Sequence, residues 1–270
     1  MSEWSAPGAG AFTALVLAGS RGPDDPVAKY CGVAHKCLAP VAGVPMLVRV
    51  VETLAASPSV GRIAIALEDP ALVKDLPALR PLLDSDRGTT LATGATPSLS
   101  VLRALDEIPS PLPWLVVTGD HPLLTPEIVE HFCAAALGTR ADLAAGLTPA
   151  SAIRKAYPDA QRTYLRFRDE HYSGANLYAL LSPEGRRAIA FWRRAELERK
   201  RPWRLVGAFG WRPLLAYALG RLTLDAAMQR ASRITGARVA AVPLPFAEAA
   251  IDVDKPADLE LVEAILARRR

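Results

Sequence analysis

The first half of the chain alternates between short apolar runs and segments with helical spacing. Strand-forming runs occupy residues 12–18, 62–67 and 114–118. Apolar side chains recur at helical spacing in residues 45–55 and 97–105, and Thr125 followed by Pro126 is typical of a helix start. Strands that alternate with helices predict an α/β fold with a mostly parallel sheet.

The pattern changes after Thr148. Residues 142–147 and 239–243 predict further strands, 163–168 alternate, and 257–270 predict an amphipathic helix that ends in three arginines. Residues 182–222 predict a long helical region. We therefore expect a single three-layer α/β domain over residues 1–270, with a helical insertion at about 150–238.

Composition excludes several classes of protein. Half of the 270 residues are apolar, which is enough for a sizeable core and excludes bulk disorder. Cys31, Cys37 and Cys133 are an odd number in a long chain, which argues against a disulfide scaffold and favours a reduced, cytoplasmic setting. We expect no secretory signal and no transmembrane segment. A net charge of +4 is compatible with anionic ligands.

The first candidate site is the loop after the first strand, Leu17-Ala18-Gly19-Ser20-Arg21-Gly22, with Lys36 further on. Glycines let backbone N–H groups approach an anion, and a lysine adds a point charge for phosphate groups. A plain tight turn explains the glycines equally well. The loop matches neither a P-loop nor the dinucleotide-binding glycine pattern.

Two further candidates are acidic. Asp120 follows a buried strand, at the edge where open α/β sheets bind ligands, and carboxylates there suit Mg²⁺. Capping of the next helix is the alternative, but Thr125 already fills that role. Asp252 and Asp254 precede a helix and, in an extended segment, should point the same way. A helix start fixed by Pro256 is the alternative there.

Together, these motifs resemble the nucleotidyltransferase family that includes the molybdenum-cofactor guanylyltransferases and the sugar- and polyol-phosphate cytidylyltransferases. The matching segments are Leu17-Ala-Gly-Ser-Arg-Gly22, Lys36-Cys-Leu-Ala-Pro, Gly43-Val-Pro, Gly119-Asp120-His-Pro122 and Asp252-Val-Asp-Lys-Pro-Ala-Asp-Leu259. The resemblance covers residues 12–150 and 239–268. The second loop glycine of the family is Ser20 here, and Asp24 stands where the family has its loop arginine.

The resemblance implies a Rossmann-like fold of the GT-A type and transfer of NMP from an NTP, with CTP or GTP favoured, to a small phosphorylated acceptor. It implies Lys36, Asp120 and Arg21 as catalytic residues, and Mg²⁺ held by Asp120 and Asp254 with Asp252 as a substitute or outer partner. It implies nucleotide contacts from Leu17, Ala18, Gly19, Ser20, Arg21, Gly22, Lys36, Thr96, Ser98 and Ser100. Such a transfer needs positioning and charge stabilisation rather than a general base.

The acceptor side is expected between residues 150 and 240. The resemblance implies Asn176 there, and Gly174 and Arg166 are further candidates; a turn that requires Gly174 is the alternative. Arg154, Lys155 and Arg162 are other candidate phosphate ligands.

Eight arginines and lysines lie between Arg186 and Arg204, interleaved with Trp192 and Trp203. We favour amphipathic helices whose tryptophans, including Trp211, cover the sheet or a homodimer partner. A peripheral membrane or a lipid-like acceptor is the next interpretation, and nucleic acid is the last.

Two other functions remain open at this point. One is a glycosyltransferase that uses a nucleotide sugar on the same fold, although its paired aspartates are expected earlier in the chain than Asp252 and Asp254. The other is a non-catalytic nucleotide-binding regulator, which the altered loop around Ser20 and Asp24 keeps open.

Overall fold

A computed structural model describes residues 12–20, 22, 24–73, 76–197 and 210–269. The strands are β1 Phe12–Leu17, β2 Pro40–Val41, β3 Val44–Pro45, β4 Val60–Leu67, β5 Gly88–Ala92, β6 Trp114–Thr118, β7 Leu143–Pro149, β8 Leu165–Arg166, β9 His171–Leu180 and β10 Val239–Pro243. The α-helices are α1 Pro26–Cys31, α2 Met46–Ala55, α3 Arg80–Leu83, α4 Pro97–Glu107, α5 Pro126–Gly138, α6 Ala150–Ala156, α7 Gly185–Leu197, α8 Trp211–Ala218, α9 Leu224–Thr235 and α10 Pro256–Arg268.

One sheet organises the described chain, in the order β10-β7-β9-β6-β1-β4-β5, with β8 paired to β9. β1 pairs in parallel with β4 and β6, and β10 pairs in parallel with β7. β9 is antiparallel to both β6 and β7. The sheet is therefore mostly parallel, as expected, and the carboxyl ends of its parallel strands meet along one edge.

Helices cover both faces of the sheet. On one face, Leu15 of β1 packs with Val101 and Ala104 of α4 and Ile189 of α7. On the other face, Val16 of β1 lies in the core that α2 and α5 complete. This alternation along β1 gives the three layers expected from the sequence. α10 adds a smaller core against the α1 region, through Val262 and Val27.

Two strands of the main sheet, β5 and β9, escaped the sequence analysis, as did the short pair β2 and β3. Gly174 lies inside β9, so the turn considered for it is wrong. Buried and exposed positions alternate unevenly along β9, and its centre, Ser173-Gly-Ala-Asn176, lacks a hydrophobic run. β5 was missed for the same reason, because it is short and polar at Thr89-Thr90.

The helical region expected over 182–222 is helical over most of its described part. The described part contains α7 and α8 as separate helices, while Trp203 and most of the basic run after Arg194 lie outside the described residues. Trp192 is 58% exposed and Trp211 is 65% exposed. These two side chains therefore do not cover the sheet, and Ala188 and Ile189 of α7 are buried instead.

Within the described ranges, no helix is long and apolar enough to cross a membrane.

Candidate active site

The loop after β1 is held by a carboxylate from the end of β4. The Ser20 N–H donates to Glu68 Oε1 at 2.7 Å, and His35 Nε2 donates to Glu68 Oε2 at 3.1 Å. His35 Nδ1 accepts the Cys37 N–H, which places the ring proton on Nε2. A Cβ on Gly19 would lie 3.3 Å from Glu68 Oε1. Glu68 therefore already accepts from a loop N–H of the kind that binds a phosphate oxygen.

Gly119 brings the ends of β1 and β6 together. Its N–H donates to the Leu17 carbonyl at 2.9 Å. A Cβ at this position would lie 3.1 Å from Ala18 Cβ and 3.2 Å from Cys37 Sγ. These contacts are tight, so a larger residue would force the neighbours of Gly119 to shift where Asp120 approaches the segment that carries Lys36.

Lys36 links the two predicted metal ligands. Its Nζ donates to Asp120 Oδ2 at 2.6 Å and to Asp254 Oδ1 at 2.7 Å, and its side chain is only 9% exposed. The Val253 N–H donates to the Asp120 carbonyl at 2.9 Å, which joins the segment before α10 to the end of β6. Three residues predicted from distant parts of the sequence thus meet at the carboxyl edge of the sheet.

The charges of this cluster do not balance. Burial disfavours the charged form of Lys36, but Asp120 and Asp254 outweigh it and raise the lysine pKa well above its usual value. Lys36 is therefore an ammonium ion, and one positive charge faces two carboxylates. The cluster has a formal charge of −1, which opposes the approach of a triphosphate.

A divalent cation fits this arrangement. Asp120 Oδ1 is buried and accepts no hydrogen bond within the described chain. Carboxylate oxygens are the ligands that Mg²⁺ prefers, and Mg²⁺ commonly takes only one or two of them together with substrate phosphates. The described residues contain no group of three or more His, Cys, Asp or Glu that could hold a metal ion by themselves.

Asp252 has different partners from Asp254. Arg162 donates to Asp252 Oδ1 at 2.7 Å, and Asn176 Nδ2 donates to Asp252 Oδ2 at 2.7 Å. Burial raises the pKa of Asp252, and Asp120 and Asp254 raise it further against the opposing charge of Arg162. The two aspartates therefore have different partners, and their common orientation stays a prediction.

The loop before α4 is built by the hydroxyl groups predicted to contact the nucleotide. Thr96 caps α4 by accepting the Leu99 N–H, and Ser100 Oγ accepts the Gly94 N–H at 2.9 Å and donates to the Thr96 carbonyl. Ser98 is buried. Two of these three hydroxyls thus have local structural roles, and their contacts to a nucleotide stay a prediction.

The remaining predicted residues are scattered. Arg21 lies outside the described residues. Gly174 is on β9 with open space beside it, and Arg166 is exposed on β8. Arg154 stacks over the ring of Tyr164 at 5.1 Å. Asn176 is beside Asp252, so it lies next to the cluster, and its contact to an acceptor stays a prediction.

Sequence reasoning missed the roles of Glu68 and His35 and the contact of Arg162 with Asp252, while the acceptor contact considered for Arg162 stays a prediction. Glu68 follows a strand just as Asp120 does, and that position is the signal that could have identified it. His121 is buried, and its Nε2 donates to the Glu248 carbonyl at 3.2 Å. Burial lowers the pKa of His121, which keeps its ring neutral.

The fold and the site define a nucleotidyltransferase: a glycine loop, a lysine and two carboxylates meet at the carboxyl edge of a mostly parallel sheet. Residues 14–238 match the MobA-like NTP transferase domain, and the chain belongs to that family. A 2-C-methyl-D-erythritol 4-phosphate cytidylyltransferase from Frankia casuarinae is 30% identical over 256 residues, which span 94% of this chain and 81% of the relative.

Solved structures have the same architecture. A hypothetical transferase from Thermus thermophilus is 32% identical, with a TM-score of 0.77 over 92% of this chain and 99% of the other. At 14% identity, the 4-diphosphocytidyl-2C-methyl-D-erythritol synthase from Anaerococcus prevotii gives a TM-score of 0.60 over 96% of this chain and 97% of the other. A CMP:2-keto-3-deoxy-manno-octonic acid synthetase in complex with CTP gives 0.55 at 17% identity, over 96% and 99%. At these lower identities the likeness concerns the fold.

Proposed function

We propose that this nucleotidyltransferase moves a cytidylyl group from CTP to a small phosphorylated acceptor, a sugar or polyol phosphate, and releases pyrophosphate. The observation that carries the proposal is Lys36 Nζ held between Asp120 and Asp254 at the carboxyl edge of the sheet. CTP is favoured over GTP because the curated relative is named as a cytidylyltransferase.

The reaction would proceed by direct displacement. An oxygen of the acceptor phosphate attacks the α-phosphorus of CTP, and the bond from that phosphorus to the oxygen bridging it to the β-phosphorus breaks. The bridging oxygen leaves on pyrophosphate. The acceptor phosphate is already ionised at neutral pH, so the protein need not remove a proton. Its task is to position both substrates and to stabilise the charge on the transferred group.

The residues of the site have distinct roles in this proposal. Ser20 would donate its N–H to the triphosphate in place of Glu68, since that hydrogen bond is available once the carboxylate moves. Lys36 would turn from the carboxylates to the phosphate oxygens, where an ammonium stabilises developing negative charge. Asp120 and Asp254 would then hold Mg²⁺, which neutralises phosphate oxygens when it is bound.

Nucleotide binding is the first test. Thermal unfolding is recorded with CTP, GTP, UTP and ATP, each with and without Mg²⁺. We expect CTP with Mg²⁺ to give the largest rise in the unfolding midpoint, because a ligand that binds only the folded state stabilises it by about 2.7 kcal/mol at 100 times its Kd. A larger rise with GTP would overturn the choice of donor.

Turnover is the second test. Pyrophosphate release is measured with CTP, Mg²⁺ and a panel of sugar and polyol phosphates, with the unphosphorylated alcohols as matched controls. We expect release only with phosphorylated acceptors. Release with the alcohols would contradict the acceptor class. Tight CTP binding without release for any acceptor would favour a non-catalytic nucleotide-binding protein instead.

A further inference from the structure

Arg162 lies near the site and contacts several acceptor oxygens, and the proposed transfer reaction gives it no role. Its Nε donates to the Ala250 carbonyl at 2.7 Å, and its NH2 donates to the Asp252 carbonyl at 2.9 Å and to Asp252 Oδ1 at 2.7 Å. Its NH1 lies 3.6 Å from Asp258 Oδ1. The side chain is 9% exposed. One guanidinium thus contacts two backbone carbonyls and two carboxylates around a single segment.

We propose that Arg162 is a positioning residue for the cation site: it holds Asp252 away from that site and fixes the segment 250–254 so that Asp254 faces Lys36. This inference rests on the proposed function, because it concerns the cation that the transfer reaction requires. It also gives Arg162 a different role from the acceptor phosphate contact considered from the sequence.

The backbone contacts explain why an arginine is needed. Ala250 ends a 3-10 turn and Asp252 lies in the segment that leads from it to α10, and Arg162 donates to the carbonyl groups of both. A planar guanidinium has five donors in a fixed geometry, whereas a lysine has a single nitrogen that cannot reach all of these oxygens. Asp258 adds a second anchor, since its Oδ2 accepts the N–H groups of Asp254 and Lys255.

Asn176 completes the restraint on Asp252. It has a φ of 52°, a conformation that asparagine tolerates better than most residues, and its amide lies 2.7 Å from Asp252 Oδ2. Both oxygens of Asp252 therefore accept from fixed donors, and its side chain is 24% exposed. Asp254, 59% exposed, accepts from Lys36 Nζ. The two aspartates are thus assigned different tasks by their partners.

Metal binding gives a readout that is independent of turnover. The probe is Mn²⁺, titrated into the full-length protein in the presence of CTP, with free Mn²⁺ followed by electron paramagnetic resonance. We expect Arg162→Gln to weaken Mn²⁺ binding about 10- to 100-fold, the range found when residues that orient metal ligands are removed. Arg162→Lys should recover only part of the loss. Arg168→Gln, at an exposed arginine of the same region, is the matched control and should bind Mn²⁺ like the wild type.

A pair of variants separates the two aspartates. We expect Asp254→Asn to weaken Mn²⁺ binding by a much larger factor than Asp252→Asn. Equal losses would show that Asp252 binds the cation directly, and would overturn the inference. Unchanged Mn²⁺ affinity in Arg162→Gln would overturn it as well, while the proposed function would survive because the wild type still binds metal and CTP. A wild-type protein that binds neither would remove both proposals together.

Folding is controlled by recording thermal unfolding of every variant before titration. If Arg162→Gln does not fold, Asn176→Gly tests the same restraint without leaving a buried charge unpaired, and glycine adopts the required positive φ. We expect it to weaken Mn²⁺ binding several-fold, and an affinity equal to that of the wild type would count against the inference. A merely structural role would lower the unfolding midpoint of these variants and leave the Mn²⁺ affinity of the folded protein unchanged.

Discussion

Asp120 and Asp142 stand at opposite edges of the same sheet and have opposite surroundings. Asp142 precedes β7, and its carboxylate accepts from Ser182 Oγ at 2.8 Å, from the Arg238 N–H at 2.6 Å and from the Arg238 guanidinium at 3.0 Å. Asp120 follows β6, where one oxygen accepts from Lys36 and the other has no partner in the described chain. One carboxylate is saturated with donors, and the other is not.

The two sets of contacts suit different roles: those of Asp142 stabilise the fold, and those of Asp120 leave an oxygen for a ligand. At the amino edge, Asp142 joins the starts of β7 and β10 to the end of β9, and the Arg238 hydrogen bond is the main cause that lowers its pKa to about 2. At the carboxyl edge, Asp120 keeps an unused oxygen and shares a lysine with Asp254. An incompletely satisfied buried carboxylate costs stability, and active sites retain such groups because a ligand completes them.

The largest expected effect comes from Asp120→Asn. The amide cannot supply the negative charge that holds a cation beside the phosphates, so we expect turnover to fall at least about 100-fold. Thermal unfolding should change little, because the asparagine oxygen still accepts from Lys36. Pyrophosphate release and the unfolding midpoint are measured on the same preparation. Retained turnover would show that Asp120 is structural, like Asp142.

Asp142→Ala should show the reverse. It leaves the Arg238 N–H and Ser182 without their acceptor, and we expect a loss of about 2–3 kcal/mol in the free energy of unfolding. CTP binding below the unfolding transition should be unchanged, because the carboxylate lies at the other edge of the sheet. Urea unfolding and CTP titration test both expectations, with Asp142→Asn as a milder control. If Asp142→Ala had the stability of the wild type and lost CTP binding, the two edges of the sheet would not differ in role.

The pH dependence of stability sharpens the contrast further. The pKa of Asp142 falls from 3.8 to about 2 on folding, so its contribution is complete well above pH 4 and is lost as the pH falls towards about 2. That shift corresponds to about 2 kcal/mol. We expect the difference in unfolding free energy between the wild type and Asp142→Asn to shrink from pH 6 to pH 3. A constant difference would exclude this ionisation as its source.

The smallest expected effect concerns Glu68. In Glu68→Ala, no carboxylate competes with the triphosphate for the Ser20 N–H, and none repels the triphosphate. We therefore expect CTP to bind about 3- to 10-fold more tightly, which is the range of one ordinary hydrogen bond. Glu68→Gln should fall between the alanine variant and the wild type, because its amide oxygen still accepts. Calorimetric titration measures all three. Weaker binding in Glu68→Ala would mean that Glu68 organises the loop for the nucleotide.

The resemblance to the nucleotidyltransferase family implied that Lys36, Asp120 and Asp254 act together, and the structure brings the three side chains into contact. The place of Asp120 at the carboxyl edge followed from the residues alone, because it comes directly after a predicted strand. The same logic predicted the glycine loop and the Thr125 cap, which accepts the Ile128 N–H. These features depend on local motifs and on strand direction.

Features that depend on long-range pairing could not be predicted. Glu68 reaches Ser20 and His35 across different elements, and Arg162 binds residues about ninety positions away. An arginine in a polar segment has the same sequence signature whether it faces solvent or a buried carboxylate. β9 was hidden because small and polar residues occupy its centre, where Asn176 contacts Asp252.

The direction of β9 has a consequence for divergence within such a fold. Because β9 runs against its neighbours, the chain from the end of β7 to the start of β9 departs from and rejoins the sheet at the reacting edge, whereas the chain from β9 to β10 departs and rejoins at the opposite edge. Either excursion can be lengthened or exchanged during evolution without altering the order of the strands. Selection can therefore remodel what surrounds the reacting edge in one step, and the scaffold that holds Lys36 and Asp120 is inherited unchanged.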